Sequence, residues 1–168
     1  MGAGAGKDAG NAAGEAARPR AGESAGWVTR TAITGEARKG VRTDAGVLAF
    51  WDAACRDQIP LFLASVTIGE LRRGVELIRH RGDYPQAALL EQWLDEVLQI
   101  YGNRVLDLDS DAAQIWGRLR VPNPHNAIDK QIAAIALLHD LTVVTRNSED
   151  FAGIGVRLLN PFLASSGQ

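Results

Sequence analysis

From residue 27 onward the chain alternates short apolar runs with longer segments whose apolar residues recur at helical spacing. Trp27–Ile33 (WVTRTAI) is rich in β-forming residues and predicts a strand. Asp44 is placed to cap a helix running through VLAFWDAAC. The apolar run Ile59–Ser65 reads as a buried strand. A helix over Thr67–Arg81 stops at Gly82, and an amphipathic helix over Tyr84–Tyr101 stops at Gly102. The second of these carries Leu89, Leu90, Trp93, Leu94, Val97 and Leu98. Arg104–Leu108 predicts a strand and Ser110–Arg120 a helix. Ala127–His139 predicts a strongly apolar helix, with Ile128, Ile132, Ile135 and Leu138 at core spacings. Leu141–Thr145 and Val156–Leu159 complete the pattern as strands. Strands alternating with helices predict an α/β fold, a three-layer α/β/α sandwich around a central parallel sheet.

The first 26 residues break this pattern. Seven glycines and nine alanines fill 16 of those positions, and Trp27 is the first aromatic residue. A segment with so little to bury is expected to be disordered, whether as an upstream extension or as a functional tail. Residues 27–162 then form one domain, with 163–168 as a short tail. The 18 basic and 20 acidic residues leave a net charge of −2. Bulk charge therefore does not hold this chain to nucleic acid, and any such contact is local or metal-assisted. A single cysteine, Cys55, excludes an intrachain disulfide and a C-x-x-C metal site, and fits a reducing compartment. No apolar run approaches the roughly 20 residues of a membrane span, so a cytoplasmic protein is expected.

Parallel sheets bind ligands beyond the carboxyl ends of their strands. The polar residues that follow strands, or open helices at that edge, are therefore the candidates. Glu70 follows IPLFLAS, Asp129 opens the apolar helix in NAIDKQIAA, and Asn147 and Asp150 follow LTVVT in RNSEDF. Oxygen donors without His or Cys suit Mg²⁺ or Mn²⁺. Such an ion can clamp a phosphodiester and activate a water. Each residue also has a simpler explanation. Thr67-x-x-Glu70 fits a helix capping box. Asp129 suits the positive end of a helix dipole. Asn147 and Asp150 suit a turn.

Three segments together bring in a family resemblance: SVTIGELRRGVELI (65–78), NAIDKQIAAIALLHDLTVVTRNSEDF (126–151) and GVRLLNPF (155–162). Residues from about 38 to 162 resemble the PIN-domain toxins of bacterial toxin–antitoxin pairs, the VapC-type ribonucleases. The resemblance implies Mg²⁺- or Mn²⁺-dependent endonucleolytic cleavage of RNA, a homodimer, and inhibition by a bound antitoxin. It assigns Glu70 and Asp129 to the second and third acidic positions, and Asp150, assisted by Asn147, to the fourth. The first position departs from the family pattern. A strand ending in Asp-Thr-Asn or Asp-Thr-Cys is expected there, and this chain reads Val28-Thr29-Arg30-Thr31-Ala32-Ile33-Thr34-Gly35-Glu36. Thr31 and Glu36 keep the register, and Arg30 stands where the first aspartate belongs. Arg30 removes a negative charge, adds a positive one, and is able to pair with Glu70 or Asp129 and hold the site together without metal. Two readings follow: a metal-dependent ribonuclease toxin, or a catalytically impaired relative that binds antitoxin or RNA without cleaving. A DNA nuclease on the same scaffold is a third.

The remaining polar and aromatic features have plainer expectations. Arg72, Arg73, Arg79, His80 and Arg81 form a basic cluster, read as a solvated face or an RNA-phosphate track. His125 precedes the Asp129 helix and is a surface or substrate-facing residue. Trp51, Trp93 and Trp116 belong to the core or to a dimer interface. Helices 67–81 and 84–101 are expected to line a groove or an interface.

Overall fold

The computed structural model describes residues 26–165. The expectation for residues 1–25, and for 166–168, lies outside the described residues. Five strands form one parallel sheet in the order β3-β2-β1-β4-β5: β1 (Trp27–Thr29), β2 (Leu61–Ala64), β3 (Val105–Leu106), β4 (Thr142–Val144) and β5 (Arg157–Leu159). β1 is central, pairing Val28 with Phe62 on one side and with Val143 on the other. The helices are α1 (Thr31–Glu36), α2 (Ala45–Arg56), α3 (Ser65–His80), α4 (Tyr84–Tyr101), α5 (Ser110–Leu119) and α6 (Ala127–Leu138).

Side-chain alternation along the strands divides the interior into two cores. Val28, Ala64 and Val143 face α5 and α6, meeting Ala112, Ile132, Ile135 and Phe151. Trp27, Leu61 and Val144 face the other way, toward Ile33, Val47 and Phe50, and Leu63 packs with Val97 and Tyr101 of α4. These two cores, one on each face of the sheet, make the three-layer sandwich. Gly26 leads into β1 between the starts of β2 and β4. A Cβ there would stand 2.5 Å from the Pro60 carbonyl oxygen, so only glycine fits.

Several local expectations need correction. The first strand ends at Thr29 rather than Ile33, because Arg30 begins a short helix whose Ile33 turns into the α2 core. Thr67 caps nothing: α3 starts two residues earlier, and the fully buried Thr67 hydroxyl has no hydrogen-bond partner among the described residues. Ile128 is 42 % exposed, whereas Ile132 and Ile135 are fully buried, so the inward stripe of α6 begins one turn later than its spacing suggested. The seam between α3 and α4 is filled by Leu71, Val75, Leu90 and Leu94. An apolar cleft of about 470 Å³ opens instead on the other side of α4, against α2, with Trp51, Leu61, Trp93 and Ile100 among its walls. The described residues close on a 3₁₀ turn over Pro161–Ser165. The caps hold as expected: Asp44 accepts from the Gly46 and Val47 amides, and the chain turns at Gly82 and Gly102 with positive φ.

Candidate active site at the carboxyl edge of the sheet

The strand order reverses at β1, since the chain adds β2 and β3 on one side before crossing to β4 and β5. The crevice beyond β1 and β4 is the ligand position of such sheets. Arg30 stands in it. Its amide donates to the Val144 carbonyl at 3.1 Å, which fixes its backbone against the end of β4. Its extended backbone leads directly into α1. The sheet thus fixes where this side chain emerges.

Arg30 Nη1 lies 2.5 Å from Asp129 Oδ1, and Nη2 lies 3.6 Å from Glu70 Oε2. The guanidinium also sits 5.8 Å from the centre of the Phe151 ring. Thr31 Oγ1 donates to Glu70 Oε2 at 3.0 Å. The pairing that the sequence allowed for Arg30 is therefore made with both acids. The close contact with Asp129 is an ion pair by distance but is poorly directed. Arg30 Nε and Asp129 Oδ1 are both buried and without a hydrogen bond among the described residues. Asp129 comes from the first turn of α6 and is 9 % exposed. Burial raises its pKa above the ordinary carboxylate value; Arg30 pulls it down, and the like charges of Asp150 and Glu70 push it up again.

Asp150 lies at the same edge but is turned to other partners. Asn126 Nδ2 donates to its Oδ1 at 3.3 Å, and Asn147 Nδ2 donates to its Oδ2. Asn147 is positioned in turn by its own amide, which donates to the buried Thr145 hydroxyl. Sequence reasoning did not single out Asn126, which precedes α6 with left-handed backbone, or Phe151 beneath the guanidinium. An Asn before a helix is a common cap, and nothing in its type signals a contact made 24 residues away.

Arranged this way, the residues do not fit a divalent cation. A guanidinium fills the space between Asp129 and Glu70. Among the described residues no three His, Cys, Asp or Glu side chains are grouped to hold a metal ion. Glu36 does not join this cluster. It is buried, pairs with Lys39 and accepts the Asp44 amide. The remaining candidates resolve simply. Arg72 and Arg79 of the basic cluster pair with Glu76 and Glu91 on the helical surface. Trp116 is half-buried and donates to the Ala127 carbonyl. Cys55 is exposed and free.

A family model described as PIN domain matches residues 42–156. Toxin FitB of Neisseria gonorrhoeae is 31 % identical over 121 residues, covering 69 % of this chain and 84 % of that protein. VapC ribonuclease Y4jK of Sinorhizobium fredii is 30 % identical over 125 residues, covering 71 % and 86 %. The crystal structure of FitAcB from Neisseria gonorrhoeae superposes with a TM-score of 0.70 at 27 % identity, covering 81 % of this chain and 98 % of that one. Arg30 lies upstream of the residues matched by the family model.

Proposed function

The chain belongs to the PIN-domain family, and from that premise we propose that it is the toxin-type subunit of a toxin–antitoxin pair whose ribonuclease pocket is closed by its own Arg30. In this state it binds RNA and its antitoxin without cutting. The carrying observation is the guanidinium between Asp129 and Glu70, with Nη1 2.5 Å from Asp129.

The physical reason is charge. A cation-dependent nuclease of this kind would gather Glu70, Asp129 and Asp150, assisted by Asn147, around Mg²⁺ or Mn²⁺. Arg30 supplies a permanent positive charge in that space, and a guanidinium is not titrated away in a protein. Unit charges about 4 Å apart interact by roughly 4 kcal/mol at an effective dielectric of 20. An arriving divalent ion is therefore opposed where the family's aspartate would attract it. Loss of an outer partner commonly lowers metal affinity or activity about 10–100-fold, and reversal of charge inside the pocket lowers it further.

The antitoxin reading is supported by similarity to a protein named as a toxin and by the surface of α4. Leu89, Trp93 and Ile100 share one stripe of that helix, and Leu89 and Ile100 are 64 % and 67 % exposed. That stripe runs beside the apolar cleft against α2 and fits an amphipathic partner segment. The same surface suits a homodimer contact. Co-expression with a small antitoxin should give a complex on a sizing column, and a clean monomer would retire the partner reading.

The activity test pairs this chain with Arg30→Asp on RNA, with Mg²⁺ or Mn²⁺ and again with chelator. The unmodified chain is expected to retain RNA and cleave it poorly or not at all, and Arg30→Asp to gain chelator-sensitive cleavage. Robust chelator-sensitive cleavage by the unmodified chain would overturn the closed-pocket reading.

A further inference from the structure

Next to Asp150, the loop between α5 and α6 walls a polar cavity of about 440 Å³, with Arg118, Asn123, His125, Asn126 and Lys130 among its lining. This volume lies in the range of roughly 300–1,000 Å³ typical of small-molecule sites. Lys130 is its most unusual wall. It is only 7 % exposed. Among the described residues its ammonium donates to the Asn123 carbonyl, and no carboxylate pairs with it. An ammonium has three donors, so two remain unused. A buried charge is ordinarily paired, because desolvation otherwise opposes it.

The two acids that line the cavity, Glu149 and Asp150, form no ion pair with Lys130 or Arg118 among the described residues. Both oxygens of Asp150 accept side-chain amides, from Asn126 and Asn147. Glu149 is exposed and forms no ion pair with Lys130. A second cation without an acidic partner among the described residues, Arg118, faces the same space from the last turn of α5. Two cations with no ion-pair partner among the described residues, in a cavity that shares Asp150 with the carboxylate site, offer free donors to an anion of nucleotide size.

We propose that this cavity is a nucleotide phosphate subsite, in which Lys130 and Arg118 grip the phosphate while the strand continues toward Asp129 and Glu70. The subsite rests on the reading of the pocket as an RNA-binding one and gives that reading its anchor. Lys supplies a point charge and Arg a planar fork, the two usual ways of holding phosphate.

The test titrates the full chain with adenosine 5′-monophosphate, inorganic phosphate and adenosine, read by calorimetry and by backbone amide shifts. The monophosphate should bind, inorganic phosphate should compete with it, and adenosine should bind at least tenfold more weakly. Lys130→Met keeps the buried stem and should weaken monophosphate binding about tenfold or more, the size of a lost charge-assisted contact. Arg118→Gln, on an exposed residue, should weaken it several-fold and decides the matter if Lys130→Met does not fold. No monophosphate binding, binding that survives both substitutions, or shifts confined to other regions would overturn the subsite. A short RNA held equally by the unmodified chain and Lys130→Met, with the cavity's amides unmoved, would remove the subsite and leave the RNA reading standing. Monophosphate bound in the cavity with no RNA retained would do the reverse.

Discussion

Arg30 with Asp129 and Glu70, and Arg72 and Arg79 with Glu76 and Glu91, both pair guanidinium groups with carboxylates within 4 Å. Arg30 approaches Asp129 to 2.5 Å, and Arg72 approaches Glu91 to 2.5 Å. Their surroundings differ. In the pocket the Arg30 and Asp129 side chains are 16 % and 13 % exposed, and the contact is poorly directed. On the α3–α4 surface Arg72 and Glu91 are 40 % and 39 % exposed, and Arg72 and Arg79 both donate well-formed hydrogen bonds to Glu91. Good geometry in water stabilises little, because solvent competes for both partners. Mediocre geometry in a largely buried pocket matters more, because removing one partner strands the other. Arg72 and Arg79 are therefore satisfied by their own helical surface, and the single arginine in the crevice governs the site.

The sharpest way to break this contrast is Arg30→Asp. In chelator, the acids of the pocket would then repel one another with no cation between them. The variant is expected to lose more than the roughly 3 kcal/mol typical of a broken buried pair. Magnesium at 100 times its Kd should return about 2.7 kcal/mol. The measurement is thermal unfolding with and without Mg²⁺. Equal midpoints in the two conditions would show that the pocket does not bind the ion even when reopened.

Arg30→Met removes the charge and keeps much of the stem. It should destabilise the fold by about 3 kcal/mol in urea at neutral pH, and the deficit should depend on pH in a defined direction. Asp129 already has its pKa raised from 3.8 by burial, and Arg30 is the group that lowers it. Without Arg30 the folded-state pKa rises further. The neutral carboxyl is then favoured in the folded state, and its contribution is present in acid and lost as pH rises through the folded value. The urea curves of Arg30→Met and the unmodified chain should converge as pH falls toward 3.8 and separate toward neutrality. A gap that is constant with pH would show that Arg30 acts through packing alone.

The smallest effect is expected at Glu91. Arg72 hydrogen bonding holds its pKa below the ordinary carboxylate value, with Arg79 acting in the same direction. Its contribution is present above the ordinary value and lost as pH falls through the lowered one. Because the pair is solvated, Glu91→Gln should shift the neutral-pH unfolding curve barely beyond error, and 0.5 M salt should erase the difference. A shift comparable to that of Arg30→Met would show that burial is not what separates the two clusters.

The apolar spacing was enough to locate every strand and α2–α6. A helix such as Tyr84–Tyr101 carries its own signals, with Asp83 capping one end and Gly102 turning the other. Position along the chain also picked out Glu70, Asp129, Asn147 and Asp150, because loops after parallel strands converge on one edge. Three features were legible less well or not at all. Ile33 was expected in the first strand but falls in a helix, because the backbone turns as soon as pairing to the neighbouring strand ends. Neither the role of Asn126 as a clamp on Asp150 nor the burial of Lys130 beside Asn123 is visible locally. Both depend on contacts closed through the loop after α5.

The sequence by itself determined the layered α/β architecture, the residues offered at the carboxyl edge, and the presence of a cation, Arg30, just after the first strand. Those follow from periodicity, chain order and residue type, which are local properties. Tertiary structure decided which partners those charges meet. The parallel pairing of β1 with β4 brings Arg30, Asp129 and Glu70 to one crevice, and α6 turns Lys130, the neighbour of Asp129, into a different cavity. Pairing energies depend on distance and on exclusion of water, and both are set by elements that lie far apart in the chain.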